Sequence, residues 1–122
     1  MKKSSLISLL PQILLNHKEW FESKGNRGIF ADLSEEYLRE GNFQNAVLVE
    51  ANFQGADLRG AYFENADLRG ANLQDVQLND AHLKNANFEE TDLMWANLEN
   101  ADLHNTRLDL SLIHISEPTR PY

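Results

Sequence analysis

The chain has 122 residues, with 11 Lys and Arg against 19 Asp and Glu, and its formal net charge at pH 7 is −8. This length predicts one domain with short appendages. The absence of cysteine excludes disulfide bonds, and no apolar run of the sequence is long enough to cross a membrane.

The first segment, MKKSSLISLLPQILL, superficially has the pattern of a secretory signal, because Lys2 and Lys3 precede an apolar stretch. Pro11 and Gln12 interrupt that stretch, and no small-x-small cleavage site follows it. We therefore favour a helical cap over a signal peptide for residues 1–30.

The apolar pattern continues as one stripe of an amphipathic helix over residues 12–23, with spacing i, i+1, i+4, i+7 and i+8. The stripe consists of Ile13, Leu14, His17, Trp20 and Phe21. Gly25 is placed to end the helix. We expect this helix to cap the repeat region that follows, with Trp20 and Phe21 over Leu33 and Leu38.

Residues 31–110 repeat with a period of five, with Leu or Phe at the centre of each pentad and usually Ala two positions earlier. A period of five fits neither an α-helix nor a flat strand. A corner after every pentad would bring all central residues inside, and four corners would close a coil of twenty residues. Stacked coils would hydrogen-bond as parallel strands about 4.8 Å apart. The predicted interior residues are Leu33, Leu38, Phe43, Leu48, Phe53, Leu58, Phe63, Leu68, Leu73, Leu78, Leu83, Phe88, Leu93, Leu98, Leu103 and Leu108.

The last position of each pentad is most often Gly, Asn or Asp, the residue types that suit turns. One corner carries Asn at a spacing of twenty residues: Asn45, Asn65, Asn85 and Asn105. We expect these side chains to stack as a hydrogen-bonded amide ladder with a structural role.

Units such as ADLRG (56–60 and 66–70), ANLQD (71–75) and ANLEN (96–100) closely resemble the pentapeptide-repeat family, whose consensus is A(D/N)LXX. The resemblance covers residues 31–110. It implies the right-handed quadrilateral parallel β-helix of that family, an all-β solenoid, here of about four coils with an N-terminal α-helical cap. The segment HKEWFESKGNRGIFADL also looks like the helical lead-in of many bacterial members, most of unknown function.

Charge divides between the two regions, with a net +3 in residues 1–30 and a net −11 in residues 31–110. The resemblance offers an alternative function here, because some family members are DNA mimics that bind gyrase or another type II topoisomerase. The negative charge is spread over the four faces as −4, −3, −1 and −3, and the chain lacks the projecting loops of several such mimics. A solvated surface is the favoured interpretation, and direct binding of nucleic acid is not expected.

Two sets of outward residues are candidates for function. The column Asn42, Tyr62, His82 and Asp102, with His104 nearby, places a His above an Asp. It lacks a nucleophile, a concave pocket and a third firm ligand, so we expect no catalytic, cofactor-binding or metal site.

Met94 and Trp95 depart from the polar consensus at outward positions, and we interpret them as an interaction patch. They could pack on a missing C-terminal segment or on a protein partner.

After Leu110 the repeat pattern fails. One interpretation is a natural strand with a Pro-bearing tail. We favour another, because residues 110–121 resemble a translated sequencing adaptor, which would truncate the gene near Asp109 and make 111–122 an artefact.

The sequence as a whole predicts a non-enzymatic, cytoplasmic, bacterial scaffold. We expect its flat faces to contact an unknown protein partner, without a cofactor or a membrane. A homodimer through the C-terminal end of the full-length protein stays open.

Overall fold

The computed structural model describes residues 4–108, with side chains described from residue 6 onward. A 3-10 helix, Ser4–Leu9, leads directly into helix α1, Leu10–Glu22. Two predictions from the sequence concern residues outside the described range: the signal-like start with Lys2 and Lys3, and the non-repeat tail 111–122.

Helix α1 begins two residues before the predicted start of 12–23, with a Pro in its first turn. A Pro fits there because the first-turn N–H groups have no partner within the helix and because its fixed φ is helical. Pro11 interrupts the apolar run of the sequence, but it does not interrupt the helix. After the helix, the Lys24 N–H donates to the Phe21 carbonyl at 3.1 Å and the Gly25 N–H to the Trp20 carbonyl at 2.8 Å, which is a Schellman C-terminal cap with positive φ at both residues.

From residue 31 onward, the backbone pairs in parallel with the backbone twenty residues later. The pairs form four columns, which define four faces: face 1 joins residues 32, 52, 72 and 92; face 2 joins 37, 57, 77 and 97; face 3 joins 42, 62, 82 and 102; face 4 joins 47, 67, 87 and 107. One turn of the solenoid therefore takes twenty residues. On face 4 the pairing extends to two short strands, β1 (Asn87–Phe88) and β2 (Arg107–Leu108). Strands stay this short because each face bends after five residues.

Each corner is a β-turn closed by a backbone hydrogen bond, as between the Glu36 N–H and the Leu33 carbonyl at 3.3 Å. The third residue of the turn has a positive φ, which is a feature of type II turns. Gly, Asn and Asp occupy many of these positions, but Glu35, Glu40, Glu50, Glu90 and Trp95 adopt the same conformation, with φ between 59° and 66°. Residues other than Gly, Asn and Asp are strained there by about 1–2 kcal/mol.

The interior of the solenoid is a single buried cluster of the central Leu and Phe residues and the small residues that precede them. Of the sixteen predicted interior residues, the first fourteen, from Leu33 to Leu98, are at most 6 % exposed. The last two, Leu103 and Leu108, are half-buried. Phe43 and Phe63 stack with ring centres 4.5 Å apart, and Phe53 contacts both rings edge-on.

Helix α1 contributes Leu10 to this same cluster, where it is 3 % exposed. Four further apolar side chains from the N-terminal segment pack against the cluster: Leu6, Ile7, Ile13 and Leu14. The contact predicted for Trp20 and Phe21 differs from the observed one. Trp20 packs instead on His17 and Phe30, with ring centres 5.2 and 5.0 Å apart.

Candidate interaction surface

Met94 and Trp95 lie on face 1 in the last complete pentad of that face and are 36 % and 45 % exposed. The Met94 carbonyl accepts the Asp75 N–H at 3.0 Å, and the Met94 N–H donates to the Asp92 carboxylate at 3.1 Å. Trp95 occupies the corner with a φ of +65°. The backbone of both residues is therefore held in place, while their apolar side chains are exposed.

The same register positions in the preceding coils carry small or polar residues. Ser34, Gln54 and Gln74 precede Met94 in its column, and Glu35, Gly55 and Asp75 precede Trp95. The patch is therefore a local replacement on a face that is otherwise polar.

Ion pairs of the solenoid join residues of the other faces. Asp57 on face 2 pairs with Arg39 and with Arg59, each at 2.9 Å. On face 4, Arg69 pairs with Asp67 at 2.7 Å, and Arg107 lies 3.8 Å from Glu89. Face 1 carries four carboxylates and no Lys or Arg between residues 31 and 95. The surface around the apolar patch is therefore acidic without basic residues on the same face.

Many side chains just before the central Leu or Phe have a structural role. In ten pentads an Asp or Asn side-chain oxygen accepts the backbone N–H two residues later, which is an Asx turn. These residues are Asp32, Asn42, Asn52, Asp57, Asp67, Asn72, Asn87, Asp92, Asn97 and Asp102. The consensus Asp or Asn is thus explained by its side-chain oxygen, which accepts the backbone N–H two residues later on the outside of the coil.

Asp67 combines such a turn with an ion pair. Partial burial acts to raise the pKa of Asp67, but the hydrogen bonds and charge of Arg69 outweigh it, and the pKa of the carboxyl lies below its usual value. The charge of this Asp is consequently neutralised within the protein rather than offered to a partner.

Asn45, Asn65, Asn85 and Asn105 do not form the predicted ladder of hydrogen-bonded amides. Within residues 4–108 no side-chain hydrogen bond connects one of these exposed amides to the next. What they share is a positive φ between 57° and 65°. Asn is selected there because it tolerates the left-handed conformation, and the connection between coils runs through backbone bonds, such as that from the Asn45 N–H to the Glu64 carbonyl at 2.9 Å.

The column containing His82 is held by ring stacking. The rings of Tyr62 and His82 lie 4.4 Å apart and nearly parallel, and Tyr62 is 37 % exposed. Asp102 accepts the backbone N–H of His104 rather than a proton of His82. Across the described part of the chain, no group of three or more His, Cys, Asp or Glu side chains is arranged to hold a metal ion.

In the sequence His17 is one member of an apolar stripe, but in the structure it is the polar connection between α1 and the first coil. Its ring is fully buried, 2.8 Å from the Val49 carbonyl, and it accepts the Ala31 N–H at 2.9 Å. Burial lowers the pKa of His17, while the bond to Val49 and the charge of Glu50 act in the opposite direction. The sequence carried no side-chain signal for this connection, because both partners of the ring are backbone groups.

Comparison with protein families gives a direct match. The model for pentapeptide repeats matches residues 29–65, 37–75, 46–85 and 77–112, with eight copies of the repeat. A search of curated proteins finds no match. Within residues 4–108, no helix is both long and apolar enough to cross a bilayer.

Several solved structures are similar. The pentapeptide repeat protein alr5209 from Nostoc Pcc 7120 is 29 % identical with a TM-score of 0.65, over 75 % of this chain and 72 % of that one. A pentapeptide repeat protein from the Arabidopsis thaliana thylakoid lumen is 30 % identical with a TM-score of 0.38, over 62 % of this chain and 57 % of that one. HetL, a pentapeptide repeat protein involved in heterocyst differentiation regulation in Nostoc sp. strain PCC 7120, is 24 % identical with a TM-score of 0.40, over 63 % of this chain and 46 % of that one.

Proposed function

Because the chain belongs to the pentapeptide-repeat family, we propose that it is a non-enzymatic scaffold that binds a protein partner through Met94 and Trp95. The prediction of the family from the repeat units is confirmed. The family's fold, a right-handed quadrilateral β-helix, supplies flat and rigid faces, and function then depends on what those faces carry.

One observation supports the proposal above the others, namely the conformation and exposure of Trp95. A bulky residue at a φ of +65° is strained, and a large apolar ring that is 45 % exposed gains little from burial. The corner imposes this φ, but it does not impose Trp, because Gly, Asn or Asp would adopt the same conformation with less strain. A strained residue that the fold could avoid is more often found at functional positions. Tryptophan is also among the residues that contribute most to binding energy at protein interfaces.

The finer architecture is part of the same proposal. We take the solenoid as about four coils that α1 closes at the N-terminal end. Leu10 in the buried cluster and His17 between Val49 and Ala31 support the cap, because they join α1 to both ends of the first coil. A covered first coil leaves the opposite end and the outer faces for contact.

The test uses substitutions that copy this protein's own pattern. Met94→Gln with Trp95→Asn restores the residue types found elsewhere at these pentad positions, so the backbone is retained and only the patch is lost. The control is Tyr62→Asn, which removes an exposed aromatic ring from face 3 and matches Asn42 of the same column.

Each immobilised variant is incubated with lysate of the source cells, and retained proteins are quantified by mass spectrometry. We expect a partner that the parent and Tyr62→Asn retain and that the double variant loses at least tenfold. Equal retention by all three variants would exclude the patch as the binding site.

The DNA-mimic alternative is favoured only by the net charge of −11 on residues 31–110. Ion pairs at Asp57 and Asp67 neutralise part of that charge. A gyrase supercoiling assay separates the alternatives. The scaffold proposal expects no inhibition at micromolar protein, whereas inhibition that survives the double variant would favour mimicry.

A further inference from the structure

His17 connects α1 to both ends of the first coil through the two nitrogens of one ring. Nε2 lies 2.8 Å from the carbonyl of Val49, near the end of that coil, and Nδ1 accepts the N–H of Ala31, at its start, at 2.9 Å. The ring is 0 % exposed, so water does not substitute for either partner.

These two partners determine the protonation state of the ring. A backbone N–H can only donate and a carbonyl can only accept, so Nδ1 carries the lone pair and Nε2 carries the proton. The docked ring is therefore the neutral imidazole. A second proton has to be placed on Nδ1, where it would meet the Ala31 N–H, and the hydrogen bond between them would be lost.

The surroundings offer little compensation for a charged ring. From the first coil, Glu50 is the carboxylate that acts on it. Lys24, after α1, lines a cavity of about 280 Å³ together with Trp20, Phe21, Gly25 and Glu50, and it places a positive charge near the same carboxylate.

The other neighbouring charges lie farther toward solvent. On α1 itself, Lys18 pairs with Glu22 at 3.9 Å, and Glu19 pairs with Arg27 at 3.0 Å. Beyond Ala31, Asp32 and Glu36 line a separate cavity of about 150 Å³ with Asn16 and apolar side chains.

We propose that His17 is a proton-sensitive latch: protonation of Nδ1 releases α1 from the first coil and exposes the N-terminal end of the solenoid. Release separates Leu10 from the buried cluster, together with the side chains of the N-terminal segment that pack against it, and so exposes apolar surface of that cluster. It leaves the remaining coils in place, because each coil contacts only its neighbours.

The direction and size of the pH effect follow from linkage. The docked state holds the His17 pKa below its ordinary value of 6.5, so the released state binds the proton more readily. Docking is fully favoured above about pH 6.5. Below that pH the docking equilibrium weakens by up to tenfold per pH unit, until the pH falls below the pKa of the docked ring.

The experiment uses the full chain with Trp95→Asn, which leaves Trp20, packed on His17, as the sole tryptophan. Trp20 emission and amide hydrogen exchange, corrected for the intrinsic pH dependence, are followed from pH 7.5 to pH 5. The Ala31 and Ile29 amides report on docking, because their acceptors lie on α1. The Leu58 and Leu78 amides report on the solenoid.

We expect Trp20 emission to shift to the red and the Ala31 amide to lose protection as the pH falls below 6.5, with Leu58 and Leu78 unchanged. His17→Gln, which keeps a donor and an acceptor but cannot take up a proton in this range, should abolish the transition. The same transition in His17→Gln, or simultaneous loss of protection at Leu58 and Leu78, would overturn the latch.

A measurement on the Trp95→Asn chain itself decides the case in which His17→Gln fails to dock. The ¹⁵N shifts of the His17 ring distinguish the neutral from the charged form directly. Protonation of Nδ1 that coincides with loss of Ala31 protection supports the latch. A ring that stays neutral to pH 5 with a protected Ala31 amide, or that becomes charged while Ala31 stays protected, refutes it.

Discussion

Truncation of Leu68 to Ala tests how the interior of the solenoid contributes to stability. Leu68 is 0 % exposed, and by register it lies between Leu48 and Phe88, which are 0 % and 1 % exposed. Its N–H donates to the Asn87 carbonyl at 2.9 Å, and its carbonyl accepts the Ala71 N–H at 3.0 Å. The side chain is therefore enclosed by neighbouring coils while its backbone is held in place.

The magnitude follows from this enclosure. Removing the buried carbons of Leu68 loses roughly 0.8 kcal/mol of transfer free energy for each CH₂ equivalent. A cavity adds to this loss, because the backbone bonds on both sides prevent the coils from collapsing into the space. We expect Leu68→Ala to lower the free energy of unfolding by about 2–5 kcal/mol.

Leu103→Ala is the matched control, because the same atoms are removed from a half-buried position in the last described coil. We expect it to cost about half as much as Leu68→Ala. Urea unfolding of both variants and of the parent, followed by circular dichroism, measures the difference. Hydrogen exchange should show weakened protection of the amides next to Leu68, such as those of Leu48 and Phe88. Equal costs for the two variants, or a cost below about 1 kcal/mol for Leu68→Ala, would refute the view that a stacked interior carries the stability.

Three further predictions concern the corners and outer bonds. Gly55→Ala should lower the free energy of unfolding by at least about 1–2 kcal/mol in urea, because φ is +72° and the new Cβ would lie 3.2 Å from Glu35 Cγ; an unchanged urea midpoint would contradict this. The parent should lose free energy of unfolding as the pH falls below 3.8, because the Asp67 carboxylate, whose pKa is lowered by Arg69, then becomes protonated and its ion pair is lost. Asp67→Asn should lose less over the same pH range, and parallel acid-unfolding curves for the two proteins would exclude this role. Thr91→Val should cost about 0.5–1.5 kcal/mol in urea, since its buried hydroxyl donates to a carbonyl of the preceding coil at 2.6 Å, and a stabilised variant would be inconsistent with that bond.

Local backbone conformation accounts for two features that the sequence analysis described by residue type. Asn45 and its counterparts suggested a ladder of amides, but their common property is the positive φ of the corner. Pro11 interrupts the apolar run of the sequence, and the structure places it in the first turn of α1, where a Pro is well tolerated. In both cases the residue type is explained by the local backbone conformation.

The role of His17 was not predictable from its position in the helix. The apolar stripe that contains it indicated only which side of the helix faces the protein. Its hydrogen bonds reach Val49 and Ala31, which are 32 and 14 residues away in sequence, and neither neighbour carries a side-chain signal for a histidine partner. Similarly, the sequence identified Met94 and Trp95 as departures from the polar consensus, but the strain at Trp95 could be recognised only from its φ of +65° in the structure.

The repeat by itself determined the twenty-residue turn and the interior residues, because both depend on short-range constraints that recur in every pentad: a bend, a small residue and a large apolar one. Tertiary structure alone decided how α1 meets the first coil and which polar groups connect them. Those contacts occur once, between distant parts of the chain, so no periodicity in the sequence records them.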